Sequence, residues 1–248
     1  MKKILLPALI AVAAAGCSPA EQSSRNDTGI PRIILDTDFG NDCDDTGALA
    51  ILHQMAYNGE AEILATMYPM NDSMGAPAID AVNTYYGRPD LPVGTYKGDY
   101  VYREKHNDFY NSRLANGFPQ DLVSGTNTFD AVDLYRKILR DQPDGSVTIV
   151  VVGPQRLVAD LLLSVPDSIS PLDGKELIRQ KVKQLVSMGT EAPKGDEWNI
   201  KLAPDAAKLV ADTWPTPVVY SGFEIGHAIM TGERLMTEAA ESPVKVAF

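Results

Sequence analysis

The sequence predicts an α/β fold, in which a mostly parallel central sheet is flanked by helices. Two observations favour this class. Short apolar segments alternate along the chain with segments of helical spacing, as in parallel sheets joined by helical crossovers. In addition, carboxylates crowd the loop after the first apolar segment, and ligands bind at the carboxyl ends of strands in open α/β sheets.

The elements follow from local patterns, taken in chain order. The predicted strands are Arg32–Asp36, Glu62–Tyr68, Leu91–Val93, Val147–Val152, Val182–Met188 and Pro217–Tyr220. The predicted helices are Thr46–Ala56, Ala76–Tyr86, Phe129–Arg140, Gln155–Leu163 and Pro204–Asp212. Leu49, Ile51, Leu52 and Met55 illustrate the helical spacing, because they are expected to share one face of the first helix.

One segment, Gly98–Gly125, fits neither pattern. It is rich in Asn, Asp, Tyr, Arg and Gly and shows no period. Long irregular segments inside compact domains are often lids or binding loops, although an ordinary surface loop is an equally good interpretation.

The N-terminus has the pattern of an export signal. Lys2 and Lys3 precede an apolar run from Ile4 to Ala15, which is too short to span a bilayer. The run ends in Ala-Ala-Gly-Cys17, which resembles a bacterial lipobox. We expect a lipoprotein signal peptide over residues 1–16 and lipidation of Cys17, with a plain secretory signal as the alternative.

This signal predicts an exported protein that is lipid-anchored in the cell envelope of a bacterium. Residues 17–30 are polar and are expected to form a flexible tether, followed by one domain over residues 31–248. The membrane is therefore a partner only through the anchor. The net charge of −11 excludes nucleic acid as a partner, because a phosphate backbone needs a basic face.

The segment from Asp36 to Asp45, which we call the acidic loop, places five carboxylates within ten residues. Carboxylates this close raise one another's pKa values, and Ca²⁺ relieves the repulsion because it takes six to eight oxygen ligands. A solvated turn, or capping of the next helix by Asp44 or Asp45, explains only one or two of them. Asp36 and Asp38 also have the spacing of a haloacid-dehalogenase-type phosphatase, but the usual Gly-Thr does not follow.

The acidic loop resembles the signature of the inosine–uridine nucleoside hydrolase family, Asp-Thr-Asp-Pro-Gly-x-Asp-Asp-Ala. Residues 36–40 match it except that Phe39 replaces Pro, and Asp44-Asp45 match its closing pair after two extra residues. The form Gly-x-Asp-x-Asp-Asp is similar to that of a bacterial, lipoprotein-type subgroup.

Further motifs continue the resemblance in family order. They are Asn71 after the second strand, Gly87–Val93, the strand Val147–Pro154 with Val152 in place of Thr, Glu197-Trp198-Asn199, and Pro204–Ala207. The resemblance implies a Rossmann-like open sheet and hydrolysis of the N-glycosidic bond of ribonucleosides, with Ca²⁺ as cofactor.

The resemblance also implies the metal site. Asp38 would be both a ligand and the general base, with Asp45, the Val152 carbonyl and Glu224 as further ligands. Glu224 stands where the family has Asp. Asp42 stays open between a place among these ligands and a ribose contact.

The ribose would contact Asp44, Asn71, Glu197 and Asn199, again by resemblance. The histidine that some members use on the leaving base is replaced by Phe223. His106, in the irregular segment, is therefore the substrate-binding candidate, together with Tyr100 and Tyr102.

Family members usually continue beyond the position of Phe248, so the chain looks short at its C-terminus. A homo-oligomer, either a dimer or a tetramer, is a separate expectation. Two other functions stay open. One is the phosphatase, with Asp36 as nucleophile. The other is a lipoprotein that binds nucleosides or sugars with little or no turnover.

Overall fold

The computed structural model describes residues 29–40, 42–98, 110–238 and 240–248. Its centre is a seven-stranded sheet in the order β4-β3-β2-β1-β5-β6-β7, in which every neighbouring pair is parallel. The strands are β1 Arg32–Asp36, β2 Glu62–Tyr68, β3 Val93–Thr95, β4 Phe129–Asp130, β5 Val147–Val151, β6 Val182–Thr190 and β7 Val218–Gly222. The predicted α/β class with a mostly parallel sheet is therefore confirmed.

Helices cover the sheet. They are α1 Asp44–Tyr57, α2 Gly75–Tyr85, α3 Asn111–Gly117, α4 Ala131–Asp141, α5 Arg156–Leu163, α6 Gly174–Lys181, α7 Trp198–Leu202, α8 Pro204–Thr213, α9 Phe223–His227, α10 Glu233–Glu238 and α11 Pro243–Ala247. Among the described residues, no helix combines the length and the apolar character that crossing a bilayer requires.

Two apolar clusters form the core. One contains Ile34 and Ile149 with residues of α4, α5 and α6. The other contains Leu35 and Phe39 with residues of α1 and α2. Because successive residues of a strand point to opposite faces, Ile34 and Leu35 enter different clusters, and the central strands are buried on both sides as expected for a parallel sheet.

Element boundaries differ from the predictions where proline or a cap decides them. β3 begins at Val93 rather than Leu91, since Pro92 has no N–H for the ladder and contributes only its carbonyl, which accepts from Thr66 N–H. Helix α4 begins at Ala131 rather than Phe129, because the Asp130 side chain accepts the N–H groups of Val132 and Asp133.

Six helices of the described residues lie outside the predicted helices, namely α3, α6, α7, α9, α10 and α11. Helix α3 lies within the irregular segment Gly98–Gly125. Helix α6 begins after Asp173, which caps it by accepting Glu176 N–H. Helix α7 follows Glu197 in the same way.

Arg136 of α4 is 1% exposed and is held entirely by its own chain. Its guanidinium donates to both carboxylate oxygens of Asp167 at 2.8 and 3.0 Å, and to the Ser164 hydroxyl at 2.8 Å. It also donates to the carbonyls of Ser170 and Leu172. We call this set the Arg136 centre. It fastens the connection between α5 and α6 to α4.

Candidate active site

The acidic loop lies at the carboxyl ends of the central strands. Asp36 closes β1, where its carbonyl accepts Val152 N–H at 2.8 Å, and the next residue, Thr37, donates its N–H to Met67 at 3.0 Å. The loop therefore leaves the sheet between the ends of β2 and β5. This is the crevice in which open α/β sheets bind ligands.

Two glycines allow the loop to approach its surroundings. Gly40 has a φ of +107°, and a Cβ there would lie 2.2–2.4 Å from the Asn111 side chain. At Gly153, a Cβ would lie 2.8 Å from Asp38 Oδ1 and 2.9 Å from its backbone nitrogen. The close approach between the β5 end and Asp38 therefore depends on the absence of a side chain at position 153.

Tyr110, which follows the acidic loop by about 70 residues in the sequence, holds this loop in place through its hydroxyl. Its hydroxyl accepts Gly40 N–H at 2.8 Å and the Thr46 hydroxyl at 2.9 Å, and it donates to the Asp42 carbonyl at 2.9 Å. The donor and both acceptor positions of this hydroxyl are thus used, and the turn is fixed on both sides of the acidic cluster.

Asp36 is fully buried and lies beneath the cleft. Its Oδ2 accepts the Tyr135 hydroxyl at 3.1 Å, and its Oδ1 has no hydrogen-bond partner among the described residues. Burial raises the pKa of Asp36 well above its usual value; the Tyr135 hydrogen bond opposes this and the charge of Asp38 adds to it. A carboxyl in this position cannot reach a substrate.

Asp45, the second residue of α1, is 4% exposed and accepts a short hydrogen bond from the Thr37 hydroxyl. Burial raises its pKa well above the usual value, and the charges of Asp38 and Asp44 raise it further. Carboxylate oxygens of Asp42, Asp44 and Asp45 lie within 4.8 Å of one another. Such a set of hard oxygen donors fits a cation such as Ca²⁺.

These residues line a cleft of about 500 Å³, which we call the acidic cleft. Its walls include Asp38, Asp42, Asp44, Asp45, Val152, Glu197 and Asn199, together with Met188, Trp198, Phe223, Gly226 and His227. The structure therefore brings seven of the sequence-predicted site residues to one place.

Two of those residues are held by local structure. Glu197 is 4% exposed and caps α7, accepting the N–H groups of Asn199 at 2.9 Å and Ile200 at 3.0 Å. The Asn199 amide donates to the Val152 carbonyl at 3.1 Å. The carbonyl proposed for the metal and the amide proposed for the ribose are thus in direct contact, and a carbonyl oxygen has a second lone pair available.

Other sequence-predicted residues lie elsewhere. Asn71 is exposed, and its amide donates to the Gly98 carbonyl at 3.0 Å. The Glu224 carboxylate is folded back over Gly222 and accepts Ala192 N–H at 3.3 Å. Cys17 and His106, with Tyr100 and Tyr102, lie outside the described residues.

Sequence reasoning did not find the aromatic wall of the cleft. Phe223 and His227 stack with ring centroids 5.2 Å apart, and Trp198, which lines the same cleft, is 59% exposed. Their spacing of four residues places Phe223 and His227 on one face of a helix, and this was the available signal.

Comparison with known proteins agrees with this geometry. Residues 33–247 match the sequence model of the family described as inosine-uridine preferring nucleoside hydrolase. The chain belongs to this family. The resemblance drawn from the acidic loop is thereby confirmed at the level of the nucleoside hydrolase family.

Individual relatives share about three-tenths of their aligned residues with this chain. The chain is 29% identical to the pyrimidine-specific ribonucleoside hydrolase RihA of Klebsiella pneumoniae, over 79% of this chain and 61% of that protein. For RihA of Salmonella paratyphi B the identity is 31% with the same coverage. The chain thus spans about six-tenths of the length of these nucleoside hydrolases.

Solved structures support the fold. The effector protein XOO4466 superposes with a TM-score of 0.71 at 18% identity, covering 88% of this chain and 64% of that chain. The plant nucleoside hydrolase PpNRh1 gives 0.55 at 22% identity, covering 83% and 64%.

Proposed function

We propose that the protein hydrolyses the N-glycosidic bond of ribonucleosides to ribose and free base, with Ca²⁺ bound in the acidic cleft. One observation carries the proposal. In a chain of this family, Asp38, Asp45, Glu197, Asn199 and the end of β5 converge on one cleft. The relatives named as pyrimidine-specific make uridine and cytidine the first substrates to test.

In the proposed reaction the C1′–N bond breaks and its electron pair leaves with the base, while the oxygen of a water bonds to C1′. Asp38 accepts the proton of that water. Asp44, Glu197 and Asn199 hold the ribose hydroxyls as positive charge develops on the sugar ring. When bound, the cation supplies positive charge that makes a nearby water more acidic.

Asp38, Asp45 and the Val152 carbonyl are the proposed principal ligands. Asp42 and Glu224 compete for the next place, since the Asp42 carboxylate lies in the acidic cluster whereas Glu224 stands at the family position. Calorimetric titration of Asp42→Asn and Glu224→Gln with Ca²⁺ decides between them, because only loss of a ligand should weaken affinity by about tenfold or more.

The aromatic wall of the cleft, which Trp198, Phe223 and His227 form, is the surface available to the base. We propose that the base packs against Trp198 and Phe223, and that His227 or His106 donates a proton to it. His227→Gln and His106→Gln should be compared on uridine and on p-nitrophenyl riboside, whose leaving group needs no proton. The proton donor is the residue whose loss slows only uridine.

The main test is release of free ribose from uridine, cytidine, inosine and guanosine, with Ca²⁺ and with a chelator. Turnover should require Ca²⁺ and should fall by about 10²–10⁴-fold in Asp38→Asn, but not in Asp212→Asn on α8. Binding of nucleosides without turnover would instead support a binding lipoprotein. The phosphatase alternative needs an accessible Asp36, and that side chain is fully buried.

We also propose that the protein is anchored to the cell envelope through a lipid on Cys17. The proposal rests on the sequence of residues 1–17. Cys17→Ser should move the protein from the membrane fraction to the soluble fraction, because a polar tether and an acidic domain have little affinity for lipid. A Cys17→Ser protein that stays with membranes would contradict it.

A further inference from the structure

A second acidic cleft lies at the sheet edge formed by β3 and β4. It has a volume of about 450 Å³ and shares no lining residue with the acidic cleft. Pro89–Val93 and Asn127–Phe129, where the chain enters β3 and β4, form part of its wall. Asp80, Asp90 and Asp121 also line it, and we call it the edge cleft.

Asp80 is the buried member of this set. It lies in the middle of α2 and is 1% exposed. Its Oδ2 accepts the backbone N–H groups of Asp121 at 2.9 Å and Leu122 at 3.3 Å. Its Oδ1 is buried and has no hydrogen-bond partner among the described residues. A buried carboxylate oxygen without a donor costs free energy unless a proton or a cation meets it.

Asp121, whose backbone N–H donates to Asp80, lines the same cleft as Asp80. Burial raises the pKa of Asp80, and the neighbouring charge of Asp121 adds to this, while the two backbone donors oppose it. In the described part of the chain, no Lys or Arg forms an ion pair with Asp80, Asp90 or Asp121.

We propose that the edge cleft binds a hard divalent cation, with Asp80 and Asp121 as ligands and Asp90 as a further charge at its mouth. Two carboxylates that line one cleft without a described Lys or Arg partner match a divalent charge, and oxygen donors are those that Ca²⁺ prefers. The cleft is larger than a bare ion, so water completes the coordination. The ion ties α2 to the chain at Asp121 and Leu122, before β4. This site is independent of the proposed hydrolysis.

Calorimetric titration of the full chain with Ca²⁺ tests the proposal. The parent protein should bind two ions. Asp45→Asn, which removes a ligand in the acidic cleft, should leave the edge site, whereas Asp121→Asn should leave only the site in the acidic cleft. Asp121 is exposed, so this variant should fold and keep its ribose release. Asp90→Asn should weaken the edge site by about tenfold, through loss of charge.

Glu60→Gln is the matched control, because Glu60 is an exposed carboxylate just before β2 and lies outside both clefts; it should bind two ions. Amide hydrogen exchange gives a second measurement, since Ca²⁺ should slow exchange at Asp121 and Leu122 in Asp45→Asn. If Asp45→Asn binds no Ca²⁺ and its exchange is unchanged, Asp80 and Asp121 share a proton and the proposal is wrong. Loss of hydrolysis alone would leave the edge site intact.

Discussion

Arg136 is 1% exposed and Asp45 is 4% exposed, yet the protein surrounds these two charges differently. Arg136 meets a carboxylate, a hydroxyl and two carbonyls of its own chain. Asp45 meets one hydroxyl and the like charges of Asp38 and Asp44, and no described Lys or Arg forms an ion pair with it. A buried charge neutralised from within is structural, whereas one surrounded by like charges indicates an external partner.

The largest expected effect follows from removing a carboxylate of the acidic loop. Asp45→Asn should weaken Ca²⁺ affinity in the acidic cleft by at least roughly 10–100-fold, with a matching loss of ribose release. Without Ca²⁺, its free energy of unfolding should stay the same or rise, because one of several repelling charges is gone. Calorimetry measures the Ca²⁺ affinity, and urea denaturation in the presence of a chelator measures the free energy of unfolding. A large loss of stability without Ca²⁺ would mean that Asp45 stabilises the fold by itself, as Arg136 does.

Arg136→Met should behave in the opposite way. The free energy of unfolding should fall on the order of 3 kcal/mol, because buried carbonyls and Asp167 lose their donor. Ca²⁺ affinity should be unchanged. Arg140→Met is the control one turn along α4, since Arg140 pairs with Asp141 at the surface and should contribute less than about 1 kcal/mol. Equal losses of unfolding free energy in Arg136→Met and Arg140→Met would mean that the buried contacts of Arg136 stabilise the fold no more than a surface ion pair does.

Gly153→Ala tests whether the position of Asp38 depends on the lack of a side chain at position 153. The new methyl group would press on Asp38, so kcat/KM for ribose release should fall by roughly 10–100-fold through displacement of the general base. Gly195→Ala, where a Cβ meets open space, should leave activity unchanged. Parent-like activity in Gly153→Ala would mean that the loop shifts without consequence.

The smallest effect concerns pH at the Arg136 centre. Arg136 lowers the pKa of Asp167 from 3.8 to about 2, assisted by backbone N–H donors. Because the folded pKa is depressed, this stabilisation is present above the unfolded pKa and is lost as the pH falls through about 2. The stability difference between the parent and Asp167→Asn, from urea denaturation, should therefore be constant from pH 7 to about 5 and shrink below pH 4. A constant difference down to pH 2 would contradict it.

The sequence predicted most of what depends on local pattern. β1 and β2 have the predicted bounds because each is a short apolar run. The convergence of Asp38, Asp45, Glu197 and Asn199 was predicted through motif order. The Arg136 centre could not be predicted, since Arg136 and Asp167 are 31 residues apart and neither stands in a motif. The aromatic wall was missed because Phe223 was judged only as a missing histidine.

Tyr110 carries a practical consequence for protein engineering. Its hydroxyl joins the segment after residue 109 to both sides of the acidic loop, across about 70 positions of sequence. Exchanging the whole segment Gly98–Gly125 between relatives, as a test of whether it sets base preference, would thus also disturb the acidic loop. A chimera that ends its insert before Tyr110 keeps the three hydrogen bonds, so base preference can be compared between chimera and parent with the acidic loop unchanged.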